Sequence, residues 1–186
     1  MSPSTPRADA VRSRARILAS ARELVDAPGG LRLSAVGRAA GVGQATVYRH
    51  FPTVEALLTE LYRVEVGELA DAAHDLLGRH PALEALRLWL THLTRYARTK
   101  RGVLAALGGS LAEPVAGETA ALVREAVDAL LTAGQADGSL RADVDAVDVI
   151  AMIGFLSRVG EPEVADRAEH LLVLVLDGLR TRPQGG

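Results

Sequence analysis

The sequence predicts an all-α protein of about nine helices, with a three-helix helix-turn-helix head over residues 1–52 and a helical bundle over residues 53–186. Three observations carry that expectation. Apolar residues recur every three or four positions along most of the chain and nowhere alternate as they would in a strand. The breaks are short and fall on glycine or proline, as at Pro28-Gly29-Gly30, Gly78, Gly108-Gly109 and Gly160. The third is the stretch Ala40-Gly41-Val42-Gly43-Gln44-Ala45-Thr46-Val47-Tyr48-Arg49-His50-Phe51, which reads as a tight turn followed by a short helix.

Composition bounds the rest. Nearly half of the 186 residues are apolar, enough for a buried core, and there is no cysteine to form a disulfide or a thiolate metal site. The longest apolar run, Leu171 to Leu176, is far shorter than the ~18 residues of a membrane helix. The first residues are rich in Ser, Pro and Arg and lack the apolar segment of an export signal, so a cytoplasmic location with no membrane partner is expected. Charge is spread unevenly. Residues 1–52 carry eight arginines against three acids, whereas the remainder carries 13 basic and 20 acidic side chains. A basic head on an acidic body suits a nucleic-acid partner for the head alone.

Taken in order, residues 1–8 form a basic arm without periodicity. The first helix is predicted from about Asp9 to Ala27, with Val11, Ala15, Leu18, Arg22 and Val25 as its inner stripe. Arg12, Arg14 and Arg16, near its start, are candidate phosphate contacts. A second helix over about Ser34–Ala40 packs through Val36 and its alanines. Gly41 ends it, because glycine enters the left-handed region without steric cost, and Val42 plugs the turn. Gly43 and Gln44 open the third helix, with Val47 inward and Gln44, Ala45, Thr46, Tyr48 and Arg49 on the remaining surface. Such a surface, almost without acid, suits a groove lined with phosphates and base edges. Gln44 can pair with adenine through two hydrogen bonds, whereas Ala45 can only meet a thymine methyl. Phe51 is predicted as a core plug and Thr53 as the N-cap of a fourth helix, with Glu55 in its first turn. Leu57, Leu58, Leu61, Val64 and Leu69 keep that helix apolar on one side to about Leu77.

The string from Ala40 to Leu58, AGVGQATVYRHFPTVEALL, resembles the DNA-binding signature of the TetR family of bacterial repressors. The shared features are the Ala-Gly-Val turn, the Thr-x-Tyr-x-His-Phe helix and the start of the fourth helix. The motif covers residues 9–60; beyond it the likeness is one of length and helical content. Gly37 stands where the family usually has alanine, Gly43 where a serine or polar residue is common, and Val54 where a basic residue makes a phosphate contact. The resemblance implies a homodimer that binds a pseudo-palindromic double-stranded DNA operator, represses transcription and is released by a small-molecule effector, here unknown. It also implies base contacts by Gln44, Ala45 and Tyr48, phosphate contacts by Thr46, Arg49, His50 and Thr53, and a reach to the groove edge by Ser34. On the residues alone, two alternatives stay open. Tyr48 can instead pack against the first helix, and His50 can pack or cap the end of the third.

In the body, His80-Pro81 opens a fifth helix to about Lys100, followed by a short sixth near Gly102–Leu107. Leu83, Leu86, Leu90 and Leu93 form one stripe of the fifth, and Trp89, His92 and Tyr96 a neighbouring one. Glu113-Pro114 and Gly117 are predicted as loop, and a seventh helix runs from about Glu118 to Ala136. Asp143 or Asp145 caps an eighth helix reaching Val159, and Pro162 opens a ninth to about Arg180. The ninth is apolar almost all round and must be covered on both sides. A symmetric dimer interface through Ile150, Ile153, Ala168, Leu172, Val175 and Leu179 meets that need; a central helix in a monomeric bundle is the alternative. Trp89, His92, Tyr96, Phe155 and Arg158 are the candidate effector pocket, with core filling as the competing role for each.

No enzyme is expected. The histidines at 50, 74, 80, 92 and 170 show no metal-ligand spacing, and the chain has no phosphate-cradling glycine loop and no cysteine nucleophile. Neither a metal nor a cofactor is expected. The remaining competitor is a helical DNA-binding or adaptor protein with no small-molecule effector.

Overall fold

Proline opens a helix without loss, because the first N–H groups of a helix have no partner within it. The first helix, α1, accordingly spans Pro6–Leu24. The computed structural model describes residues 6–25, 30–106, 113–154 and 167–181. Along them follow α2 (Leu33–Ala39), α3 (Gln44–His50), α4 (Val54–Leu77), α5 (Ala82–Ala106), α6 (Glu113–Ala136), α7 (Ala146–Met152) and α8 (Ala168–Leu179). With eight helices and no named strand among the described residues, the protein is all-α as expected.

Several predicted boundaries move. The fifth and sixth helices are one, because α5 runs on through Gly102. A glycine inside a helix costs about 1 kcal/mol, less than stopping and paying for a new helical nucleus. Glu113-Pro114 is not loop but the first turn of α6, where proline is tolerated. The cap of α7 is Asp145, which accepts from the N–H of Val147 at 2.8 Å and of Asp148 at 3.0 Å, while the Asp148 carboxylate accepts from the N–H of Asp145. Asp143 is instead held by the Arg141 guanidinium. The expected continuation to Val159 and the start at Pro162 lie outside the described residues.

The described residues fall into two compact units. The first comprises those up to Val64 together with 102–106. Its core is Ile17 and Ala21 of α1, Leu33 and Val36 of α2, Val47 of α3, Phe51, and Leu57, Leu58, Leu61 and Tyr62 of α4. The inner stripe of α1 differs from the one predicted. Val11 is 64% exposed, and burial begins only at Ile17 and continues through Ser20, Ala21 and Val25. The N-terminal half of α1, where four arginines follow one another at positions 7, 12, 14 and 16, cannot be put into a core without desolvating charge.

The second unit holds the other described residues, from Glu65 to Arg101 and from Glu113 onward. Val66, Leu69 and Ala73 of α4, Leu86, Trp89, Leu90 and Leu93 of α5, Val127, Leu130 and Leu131 of α6, Val149 of α7 and Leu172, Leu176 and Leu179 of α8 are buried in it. The turn after α6 is tied to the end of α8. Leu140 and Arg180 form an antiparallel bridge, with Arg141 N–H donating to Leu179 O at 3.0 Å and Thr181 N–H to Ser139 O at 3.1 Å. Gln135 braces the same turn by donating to the carbonyls of Arg141 and Val144.

Candidate nucleic-acid interface

The turn between α2 and α3 is built by its backbone. Gly41 has φ +63, the left-handed value that a side chain disfavours. Its N–H donates to Arg38 O at 3.3 Å and that of Val42 to Gly37 O at 3.0 Å, the paired bonds of a Schellman helix end. Gly43 then enters α3 in extended conformation. Val47 is fully buried against α2, so α3 can present only its other faces.

On those faces Gln44, Ala45, Tyr48 and Arg49 are exposed, while Thr46 and His50 are half-buried. Tyr48 is 53% exposed, so it does not pack into the first unit as the alternative reading had it. The His50 ring lies 6.3 Å from that of Phe51, tilted by 43°, so His50 partly covers the core plug. Arg49 is laid back along its own helix, its Nε donating to Ala45 O at 3.2 Å and its Nη2 to Thr46 Oγ1 at 3.3 Å. A guanidinium has five N–H donors, so three remain for an anion. Ser34 is exposed in the first turn of α2, and its carbonyl accepts from Gln44 Nε2 at 3.2 Å. Two residues ten apart in sequence thus meet at one spot.

Thr53 caps α4 as expected, its Oγ1 accepting from the Ala56 N–H at 3.1 Å. The Glu55 carboxyl is held below its ordinary value, first by its own backbone N–H and then by the Thr53 hydroxyl. Thr53 is therefore engaged as both acceptor and donor. Arg14 has a different place from the phosphate contact predicted for it. Its guanidinium lies 5.2 Å over the Phe51 ring and pairs with Glu60 at 2.6 Å, so it seals the core plug. Arg12 pairs with Asp9 one turn back on α1.

Around the turn the remaining charge is of one sign. From Gly30 to Val54 the chain has no acidic residue and carries Arg32, Arg38 and Arg49, all exposed. An acid-free, basic helix pair whose second helix offers amide, hydroxyl and phenol groups can lie in a major groove and donate to phosphates. Periodicity did not reveal the spatial pairing of Ser34 with Gln44 or the seal by Arg14; Arg14 and Glu60 are 46 residues apart.

The body residues are placed as follows. Trp89 is fully buried, its indole N–H donating to Leu69 O at 2.9 Å, Tyr96 is buried, and His92 is half-buried. Phe155 and Arg158 lie outside the described residues. Ile153, Ala168, Leu172 and Leu179 are buried by their own chain, and Ile150 and Val175 half-buried. The apolar residues that α8 leaves outside are Val173 and Leu174, each 53% exposed.

Comparison with known proteins adds to this geometry. Residues 17–61 match the family described as bacterial regulatory proteins, tetR family, and residues 81–181 the C-terminal domain of SbtR-like transcriptional regulators. A TetR transcriptional regulator of Streptomyces coelicolor is 36% identical, with 91% of this chain and 99% of that one covered and a TM-score of 0.78. One of Mycobacterium vanbaalenii is 35% identical, with 95% and 100% covered and a TM-score of 0.78. FadR of Bacillus subtilis, solved in complex with stearoyl-CoA, shares the fold at 19% identity, with 89% and 98% covered and a TM-score of 0.64. No curated protein matches the sequence.

Proposed function

The chain belongs to the TetR family of bacterial transcriptional regulators, and from that membership we propose that it is a homodimeric repressor released from its operator by a small molecule. The family is one of non-enzymatic, DNA-binding transcription factors, and the DNA-binding part is the N-terminal domain. The observation that carries the finer reading is the acid-free α2–turn–α3 unit, with Gln44, Ala45, Tyr48 and Arg49 exposed around a buried Val47. Gln44, Ala45 and Tyr48 face bases; Thr46, Arg49 and His50 hold phosphates; Thr53, whose hydroxyl is spent on Ala56 and Glu55, sets the start of α4 instead; Ser34 stands at the groove edge. One seven-residue helix reads only a few base pairs, so two copies one helical turn apart on a pseudo-palindrome supply the specificity.

Burial guides where the two copies meet. Ala168, Leu172 and Leu179 are used by their own chain, so the two copies meet instead through the side of α8 that carries Val173 and Leu174, each 53% exposed. The effector acts in the second unit, beside His92 and Tyr96; support comes from the neighbour of this fold solved with stearoyl-CoA. Effector binding favours a state whose two heads no longer match successive major grooves. The protein works where its DNA is, in the cytoplasm.

The test is selection of random duplexes by the purified protein at moderate salt. Recovery of an inverted repeat supports a dimeric operator-binding protein. Recovery of no defined sequence by folded protein overturns the reading.

A further inference from the structure

A carbonyl oxygen can only accept a hydrogen bond, so the contact between Ser34 O and the Gln44 side chain fixes which end of that amide is the NH2 group. One N–H is spent on α2. The amide oxygen and the second N–H remain for an outside partner, and an acceptor beside one donor is the complement of adenine N6–H and N7 in the major groove. Guanine offers two acceptors there, O6 and N7, and a tethered amide with a single free N–H cannot satisfy both.

The tether needs room, and Gly37 provides it. A Cβ at this buried position would lie 3.0 Å from Gln44 Nε2 and 2.9 Å from Val47 Cγ2. Val47 is fully buried and β-branched, so it has little freedom. The approach to Val47 Cγ2 forces a small shift of α3 against α2, and the Gln44 amide, the far end of a flexible, exposed side chain, is in addition displaced from Ser34 O. We propose that Gly37 is a specificity-determining residue, acting through Gln44: the space it leaves lets Ser34 O hold the Gln44 amide in the orientation that accepts adenine and rejects guanine. Gly37 touches no base and is a positioning residue. This assignment rests on the DNA-binding reading above and names the base pair preference of that same site.

The experiment is operator selection followed by affinity measurements for all single-base variants of the recovered site, on the native protein, Gly37→Ala and Gln44→Ala. Gln44→Ala identifies the base pair that Gln44 reads. Gly37→Ala is expected to lower adenine-over-guanine discrimination at that same pair by about tenfold, while the preferences elsewhere in the site keep their order. A purely structural glycine would lower affinity for every sequence alike and leave that ratio unchanged, which overturns the proposal; so does a change confined to another base pair. Side-chain 15N relaxation of Gln44 in the native protein reads the tether without a variant, whatever the stability of Gly37→Ala. A restricted amide is expected, and one as mobile as a free glutamine overturns the proposal. If the native protein selects no sequence, the DNA-binding reading falls first and this assignment with it.

Discussion

Phe51 is 3% exposed and lies under the Arg14 guanidinium, with the tilted His50 ring beside it and Glu60 completing the seal. Replacing it with alanine is expected to destabilise the first unit by about 3–5 kcal/mol, measured by urea unfolding, because such a site cannot collapse onto the void. Arg14→Ala should cost less, since the guanidinium is partly exposed and its pair is solvent-screened. At Arg49 the expected change is in binding alone. Arg49→Ala should weaken all DNA sequences about equally and lower the magnitude of the salt slope by about 1, read from affinity against salt concentration. Glu55 supplies a pH test. Its folded value lies below the ordinary one because its backbone N–H and the Thr53 hydroxyl favour the carboxylate. The stabilisation is therefore present at neutral pH and lost as pH falls through the acid range, where the carboxyl protonates. Thr53→Ala should flatten that acid limb in thermal melts and remove an N-cap worth about 1 kcal/mol at pH 7.

The helix ends show how far local chemistry reaches. Gly41, Thr53 and Pro81 act on their immediate neighbours, and the turn at Gly41, the cap at Thr53 and the helix after Pro81 were all legible from the sequence. In the sequence Gly102 reads as the start of a separate helix and Glu113-Pro114 as loop, because glycine and proline each carry a local penalty that a long helix outweighs. The buried stripe of α1 was misplaced for a different reason, since periodicity finds a stripe but not where along the helix the core begins. In the interface, the outward set on α3 was legible once Val47 was placed inward. The Ser34–Gln44 contact and the Arg14 seal depend on packing between separate helices and leave no local mark. Gly134 belongs with them. A Cβ there would come within 2.4 Å of Leu140 Cδ1, so the absence of a side chain lets Leu140 fold onto α6. Gly134→Ala should destabilise the second unit by about 1–3 kcal/mol, measured by thermal unfolding, because overpacking forces the turn away from α8.

At the scale of the whole molecule, the basic head and the acidic remainder divide the work by charge. A basic surplus over residues 1–52 favours contact with nucleic acid there, and the acidic surplus of the remainder disfavours it. The proposed dimerisation is tested at this scale too. Val173→Asp or Leu174→Asp places a charge on an exposed apolar face of α8, and the fold should tolerate it because neither side chain is buried in the chain. Sedimentation should then show monomer, and affinity for a two-site operator should fall far more than for a half-site. Dimerisation left intact by both changes would move the contact elsewhere.

The buried Trp89, the only tryptophan in the chain, also makes the second unit separately observable. Its indole is shielded and hydrogen-bonded to Leu69 O, so its emission reports on the surroundings of that ring, whereas circular dichroism sums over every helix. A head that melts ahead of the body will show as a loss of ellipticity to which the fluorescence is blind. Coincident curves will mean that the two units unfold as one.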